Sequence, residues 1–141
     1  MKKLRVAFFE TRYDSFYGAQ QSMFTLIANL DRYYFEPYVI TTAESIFARR
    51  FREAGINVHV LPMASMANMF GKRILHYPWW KKILVAAELL RYNFHAFRWL
   101  HSRKIDVVYA NDIRALLYVG LTSRLMRLML VWCVRGDERL G

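Results

Sequence analysis

The chain has 141 residues, a length for one domain, and its 55% hydrophobic and 23% charged content excludes a disordered tail. The net charge is +10, and seven of those excess charges fall in residues 66–104, where eight Lys/Arg face Glu88 alone. Such a segment should face something anionic: phospholipid, a phosphorylated substrate or nucleic acid. Cys133 is the only cysteine, which excludes an internal disulfide or a cysteine-rich zinc site and suits a reducing, cytoplasmic setting.

Residues 4–9 are a short apolar run. It superficially resembles a secretory leader, but it is brief and Glu10, Arg12 and Asp14 follow at once, so it is read as a buried first strand. Residues 10–18 make a polar and aromatic loop. A helical pattern then begins at Ala19, with Met23, Leu26, Ile27 and Leu30 at three- and four-residue steps. A second strand is expected over residues 37–42. A helix over residues 43–54 should turn Ile46, Phe47 and Phe51 inward and Arg49, Arg50, Arg52 and Glu53 outward. Gly55 stands where a helix C-terminal glycine belongs.

Residues 56–61 alternate, with Ile56, Val58 and Val60 on one face and Asn57 and a solvated His59 on the other, as in an edge strand. Residues 63–78 fit a short helix or a flap. Residues 79–102 form a long amphipathic helix. Its polar stripe contains Lys81, Glu88, Arg91, His95, Arg98 and Ser102, and its apolar face, expected to pack inward, contains Ile83, Ala87, Leu90, Phe94 and Phe97. The apolar run from Ile83 to Ala87 is far short of a membrane span. Strands over 106–109 and 128–134 flank a last helix at 113–125. The resulting strand–helix alternation specifies an α/β fold, a parallel sheet with helices on both faces. Ligands on such sheets bind beyond the carboxyl ends of the strands, so the loops after Phe9, Tyr109 and Val134 are the ones to search.

Four constellations carry chemistry. Tyr17, Gly18, Ala19 and Gln20 lie in the first of those loops; glycine admits close approach, and the N–H groups that open a helix can hold an anion, although Gly18 serves equally as a turn residue. Asn111 follows a buried strand and is suited to a sugar hydroxyl, while Asp112 fits either a ligand or the N-cap of the next helix. Arg135 can fork onto a phosphate or pair with Asp137. The basic aromatic helix offers Trp79, Trp80, Lys81, Lys82, Arg91 and Arg98 to an anionic membrane surface; an ordinary packed helix with a solvated basic face is the competing reading. His59, His76, His95 and His101 have no metal-site spacing, and Cys133 reads as a small core residue.

In chain order these segments resemble the N-terminal domain of glycosyltransferase family 4. That family opens its first helix with G-G-A-E and ends it with N-x-L; here Gly18-Ala19-Gln20 and Ala28-Asn29-Leu30 stand there. Its G-I-x-V-x-x-L-P run matches Gly55-Ile56-Asn57-Val58-His59-Val60-Leu61-Pro62. Its D-V-V-H-A-H is similar to residues 106–111, and its H-x-R-G turn to residues 133–136. Tyr17 replaces a frequent glycine, Gln20 a glutamate, and Tyr109, Asn111 and Cys133 frequent histidines.

The resemblance implies the Rossmann-like N-terminal half of a GT-B fold, with residues 1–141 binding the acceptor. A C-terminal half, in cis or in trans, would hold the nucleotide-sugar donor and an E-x7-E motif that these residues do not reach. It implies retaining, metal-independent transfer with no cofactor, and an acceptor that is lipid-linked or polysaccharide. Asn111 and Arg135 are then the candidate catalytic residues. The Gly18 loop, with Asp112 and Asp137, is the candidate contact for the donor diphosphate, and the basic aromatic helix adds the expectation of a cytoplasmic protein peripheral at the inner face of the cytoplasmic membrane. The competing classes are a non-catalytic binding module on the same sheet and a nucleic-acid-binding protein. The latter accounts for the charge but lacks a zinc-finger or RNP-like motif.

Overall fold

The computed structural model describes residues 1–11, 16–63 and 72–134. Five strands, β1 (Leu4–Glu10), β2 (Phe35–Thr41), β3 (Asn57–Val60), β4 (Val107–Ala110) and β5 (Met129–Trp132), form a parallel sheet in the order β3-β2-β1-β4-β5. Among the described residues the helices are α1 (Gly18–Ala28), α2 (Ile46–Glu53), α3 (Trp79–Ser102) and α4 (Ile113–Leu125), with a 3-10 turn at Lys72–His76 before α3.

The central position of β1 follows from its sequence. Val6 and Phe8 pack on one face with Met23 and Ile27 of α1 and Phe47 and Phe51 of α2. Ala7 and Phe9 pack on the other with Tyr92, Ala96 and Leu100 of α3 and Ala115, Tyr118 and Val119 of α4. A strand apolar on both faces can only be interior. Rings of Tyr92 and Tyr118 meet at 5.6 Å between α3 and α4. Burial pushes both phenols up, that of Tyr118 to about 12.

Three of these helices, α2, α3 and α4, end alike. Gly55 takes φ 75°, and Ile56 N–H reaches back to Phe51 O at 3.0 Å. Lys104 and Arg127 adopt the same left-handed turn without being glycines, at φ 52° and 53°. Each lets the chain reverse directly into the next element.

Two expectations about packing fail. Ile46 is exposed, because Ser45 caps α2 and the helix begins at Ile46. The larger failure concerns α3. Its buried face is Val85, Tyr92, Asn93, Ala96 and Leu100, so Ile83, Leu90, Phe94 and Phe97 point outward, with Trp79 and Trp80 exposed at the start. The helix is apolar on two sides, and the side anchored by small Ala96 and by Asn93 won. Asn93 accepts from Thr122 N–H (3.3 Å) and Oγ1 (2.8 Å), and its own amide donates to Leu89 O at 2.9 Å. Hydropathy alone cannot see that polar lock. On the α1 side of β4 and β5, Leu26, Leu30, Val107, Tyr109, Met129 and Val131 line an uncovered apolar groove of about 390 Å³.

Candidate functional site

The sheet order reverses between β1 and β4. β1 leads into α1 on one face and β4 into α4 on the other, the topology at whose strand carboxyl ends open α/β sheets bind their ligands. β1 runs one residue beyond its apolar stretch, and Glu10 and Asn111 end side by side, with Asn111 N–H on Phe9 O at 3.0 Å. Alternation places both on the α1 side of the sheet, above the Phe8–Tyr109 ring pair at 5.0 Å.

Glu10 and Asn111 are each 2% exposed, and Asn111 Nδ2 donates to Glu10 Oε2. Thr41 is register partner to Glu10 on its other flank; its hydroxyl is buried and has no protein partner among the described residues. A row Thr41–Glu10–Asn111 thus crosses three strands at the edge where ligands of such sheets bind. Beside it, Thr11 Oγ1 donates to Asp112 Oδ2 at 2.8 Å, and Thr42 Oγ1 to Thr11 O at 3.3 Å.

The expected site residues fare differently. Asp112 is the N-cap of α4, with Oδ1 accepting from Ala115 N–H at 2.6 Å, so of its two readings the cap is the one observed. Gly18 opens α1 near the carboxyl ends of these strands, and a Cβ built on it meets nothing within 4 Å among the described residues. Tyr17 is exposed beside it. Ala19 follows on the first turn of α1. Gln20 is buried, and its Oε1 accepts from Tyr17 N–H at 3.3 Å, which fastens the helix start. Arg135 and Asp137 lie outside the described residues, as do residues 64–71 between β3 and α3. Glu10, Thr11 and Thr41 were missed. The available signal was a carboxylate continuing a buried apolar run, in register with the polar residue that ends β4.

On α3, Lys82 and Arg98 are exposed. Arg91 pairs with Glu88 and approaches Pro62 O at 3.4 Å. Lys81 lies over the rings of Tyr77 and Trp80, at 5.5 and 5.3 Å. Among the described residues no helix is long and apolar enough to cross a membrane.

A second recess of about 340 Å³ lies at the opposite end of the sheet, among Glu36, Tyr38, Asn57, His59, Trp99 and Arg103. His59 is not solvated as expected; it is half-buried and stacks on Trp99 at 5.2 Å. Burial, then the Arg103 charge, hold its imidazole below the usual value. The Tyr38 hydroxyl, which donates to Glu36 at 2.5 Å, and Arg5 hold the Glu36 carboxyl low despite partial burial.

The fold is α/β and Rossmann-like, and it is shared with glycosyltransferases of the GT-B class. The glycosyltransferase from Rickettsia africae superposes on all of this chain with a TM-score of 0.71 at 10% identity, using 32% of its own length. Acinetobacter baumannii MurG matches 96% of this chain (TM-score 0.66, 14% identity, 37% of its length). Anabaena HepE in complex with UDP and glucose matches 94% (TM-score 0.61, 18% identity, 30% of its length). The chain therefore spans about a third of the proteins it matches. No family model and no curated protein sequence matches it, so no particular family, family 4 included, is assigned.

Proposed function

We propose that residues 1–141 are the acceptor-side domain of a retaining glycosyltransferase, which moves a sugar from a nucleotide-diphosphate donor to a lipid-linked or polysaccharide acceptor. The observation that carries this reading is the buried Thr41–Glu10–Asn111 row at the switch point of a sheet whose fold recurs in glycosyltransferases, one of them solved with UDP and glucose. In this reading the start of α1 at Gly18 lies near the donor diphosphate, Asn111 near the transferred sugar, and Arg135 near a phosphate. Leaving-group charge is met by fixed N–H dipoles and basic side chains, with no metal or cofactor. Asn111 cannot act as a general base and serves by hydrogen bonding. The nucleotide pocket belongs to a donor-binding half, in cis or in trans, and the apolar groove over β4 and β5 gives that further polypeptide a surface to pack on.

The test is transfer of labelled sugar from a panel of nucleotide-sugars by the protein together with its donor-binding half. Asn111→Ala and Gly18→Val should each lower transfer at least tenfold. Removing an electrostatic or positioning interaction at the reacting centre costs about 10²-fold at full effect. Absence of transfer from every donor leaves a non-catalytic binding module as the better reading.

The outward apolar stripe of α3 favours a second element, docking at the inner face of the cytoplasmic membrane. Trp79, Trp80, Ile83, Leu90, Phe94 and Phe97 follow one side of a helix about 36 Å long, with Lys82, Arg91 and Arg98 around it. Sedimentation with anionic vesicles that weakens in salt supports it. Binding indifferent to both lipid charge and salt, or to oligonucleotides instead of vesicles, counts against it.

A further inference from the structure

We infer that Glu10 is a positioning residue for Asn111, fixing which way its carboxamide faces. The inference rests on the proposed role of Asn111 at the transferred sugar. A free carboxamide has two ends that a ligand reads oppositely: the NH2 donates and the oxygen accepts. Here Nδ2 is taken by Glu10 Oε2, on a carboxylate that can only accept when ionised. The geometry leaves Asn111 Oδ1 turned away from Glu10. Both side chains are almost fully buried, so water competes little for the bond, and a carboxylate acceptor makes it stronger than a neutral one.

The arrangement is held from the backbone upward. Asn111 N–H on Phe9 O locks the two strands in register at that level, and the rings of Phe8 and Tyr109 pack on the same face two residue pairs below. Thr11–Asp112 then joins the same two loops one residue further on, with Asp112 itself tied to the first turn of α4. Two consecutive cross-strand pairs, 101 residues apart in sequence, therefore clamp the switch point. In the outer pair the Asp112 oxygens serve Thr11 and the α4 cap. Glu10 does not touch substrate in this account; it acts through Asn111.

The experiment compares Glu10→Gln, which can still accept from Nδ2, with Glu10→Ala and Glu10→Thr, which are too short to reach. Glu10→Thr suits a strand and guards against a folding defect in the alanine variant. Two readouts are taken on the protein with its donor-binding half: the Asn111 side-chain NH2 signals in nitrogen-edited NMR, and kcat and KM for a nucleotide-sugar donor. The expected result is a displaced, slowly exchanging NH2 pair in the wild type and Glu10→Gln, and a shifted, faster-exchanging pair in Glu10→Thr. In parallel kcat falls at least about tenfold in Glu10→Thr, stays within about threefold in Glu10→Gln, and donor KM hardly changes.

Unchanged Asn111 signals in Glu10→Thr overturn the proposal, as does an equal loss of kcat in Glu10→Gln and Glu10→Thr. If the NH2 signals respond as expected but the wild type transfers no sugar, Glu10 still holds Asn111 and it is the glycosyltransferase reading that falls.

Discussion

Replacing Leu90 and Phe94 of α3 together by glutamine should leave the fold nearly as stable as before and strip the protein from anionic vesicles. These side chains are 62% and 59% exposed. Glutamine has nearly the helix propensity of leucine, so the double variant should change stability by no more than about 1 kcal/mol. Complete burial of such a side chain contributes about 1.5–3 kcal/mol, and more than half of each is still open to water. Lipid contact at both positions is then worth about 2–3 kcal/mol, which is a 30- to 150-fold change in vesicle partitioning, roughly tenfold per 1.4 kcal/mol. Leu100→Ala, on the buried face of the same helix, provides the contrast and should cost about 2–5 kcal/mol. Urea denaturation and vesicle sedimentation on the same samples separate the two effects. Loss of stability in the double variant as large as in Leu100→Ala would refute the outward orientation of this face. Full stability with undiminished vesicle binding would refute the membrane contact.

Asp112→Ala should lower stability by about 1–2 kcal/mol in urea denaturation, through loss of the α4 cap and of the bond to Thr11. Thr122→Val should cost about 1–3 kcal/mol by leaving buried Asn93 Oδ1 short of a donor, read in the same assay. His59 has a folded-state value below its ordinary 6.5, so the unfolded chain takes up the proton first. Stability should therefore fall as pH drops below that ordinary value, and His59→Gln should flatten the slope in urea midpoints measured from about pH 7.5 to 5. Asp106 and Glu36 are held low, the former by Arg5 N–H and then Lys2, so their contribution is lost only at lower pH, below the ordinary carboxylate values.

Much of the scaffold was legible because it is written locally. The bounds of α3 and α4 came from apolar spacing, and the edge position of β3 from its alternation. The parallel sheet came from the strand–helix order. What was not legible depends on contacts between distant segments. α3 carries two apolar sides, and which one turns inward is settled by Asn93 meeting Thr122, 29 residues away. His59 looked solvated because its partner Trp99 arrives from that same helix. At the site, Asn111 and the cap position of Asp112 could be read, since each follows an apolar run at a helix start. Glu10 could not, because its meaning arises only when β1 and β4 lie side by side. Gln20, named with the Gly18 loop as a ligand contact, also accepts from the backbone N–H of Tyr17.

Hydrogen exchange with and without a nucleotide-sugar, on the protein with its donor-binding half, tests the location of the site most directly. Slowed exchange at the amides of Gly18, Ala19, Asn111 and Asp112 is the result expected for transfer at the β1–β4 switch point. Protection confined to Asn57, His59 and Trp99, at the opposite end of the sheet, or none in the described residues, would contradict it.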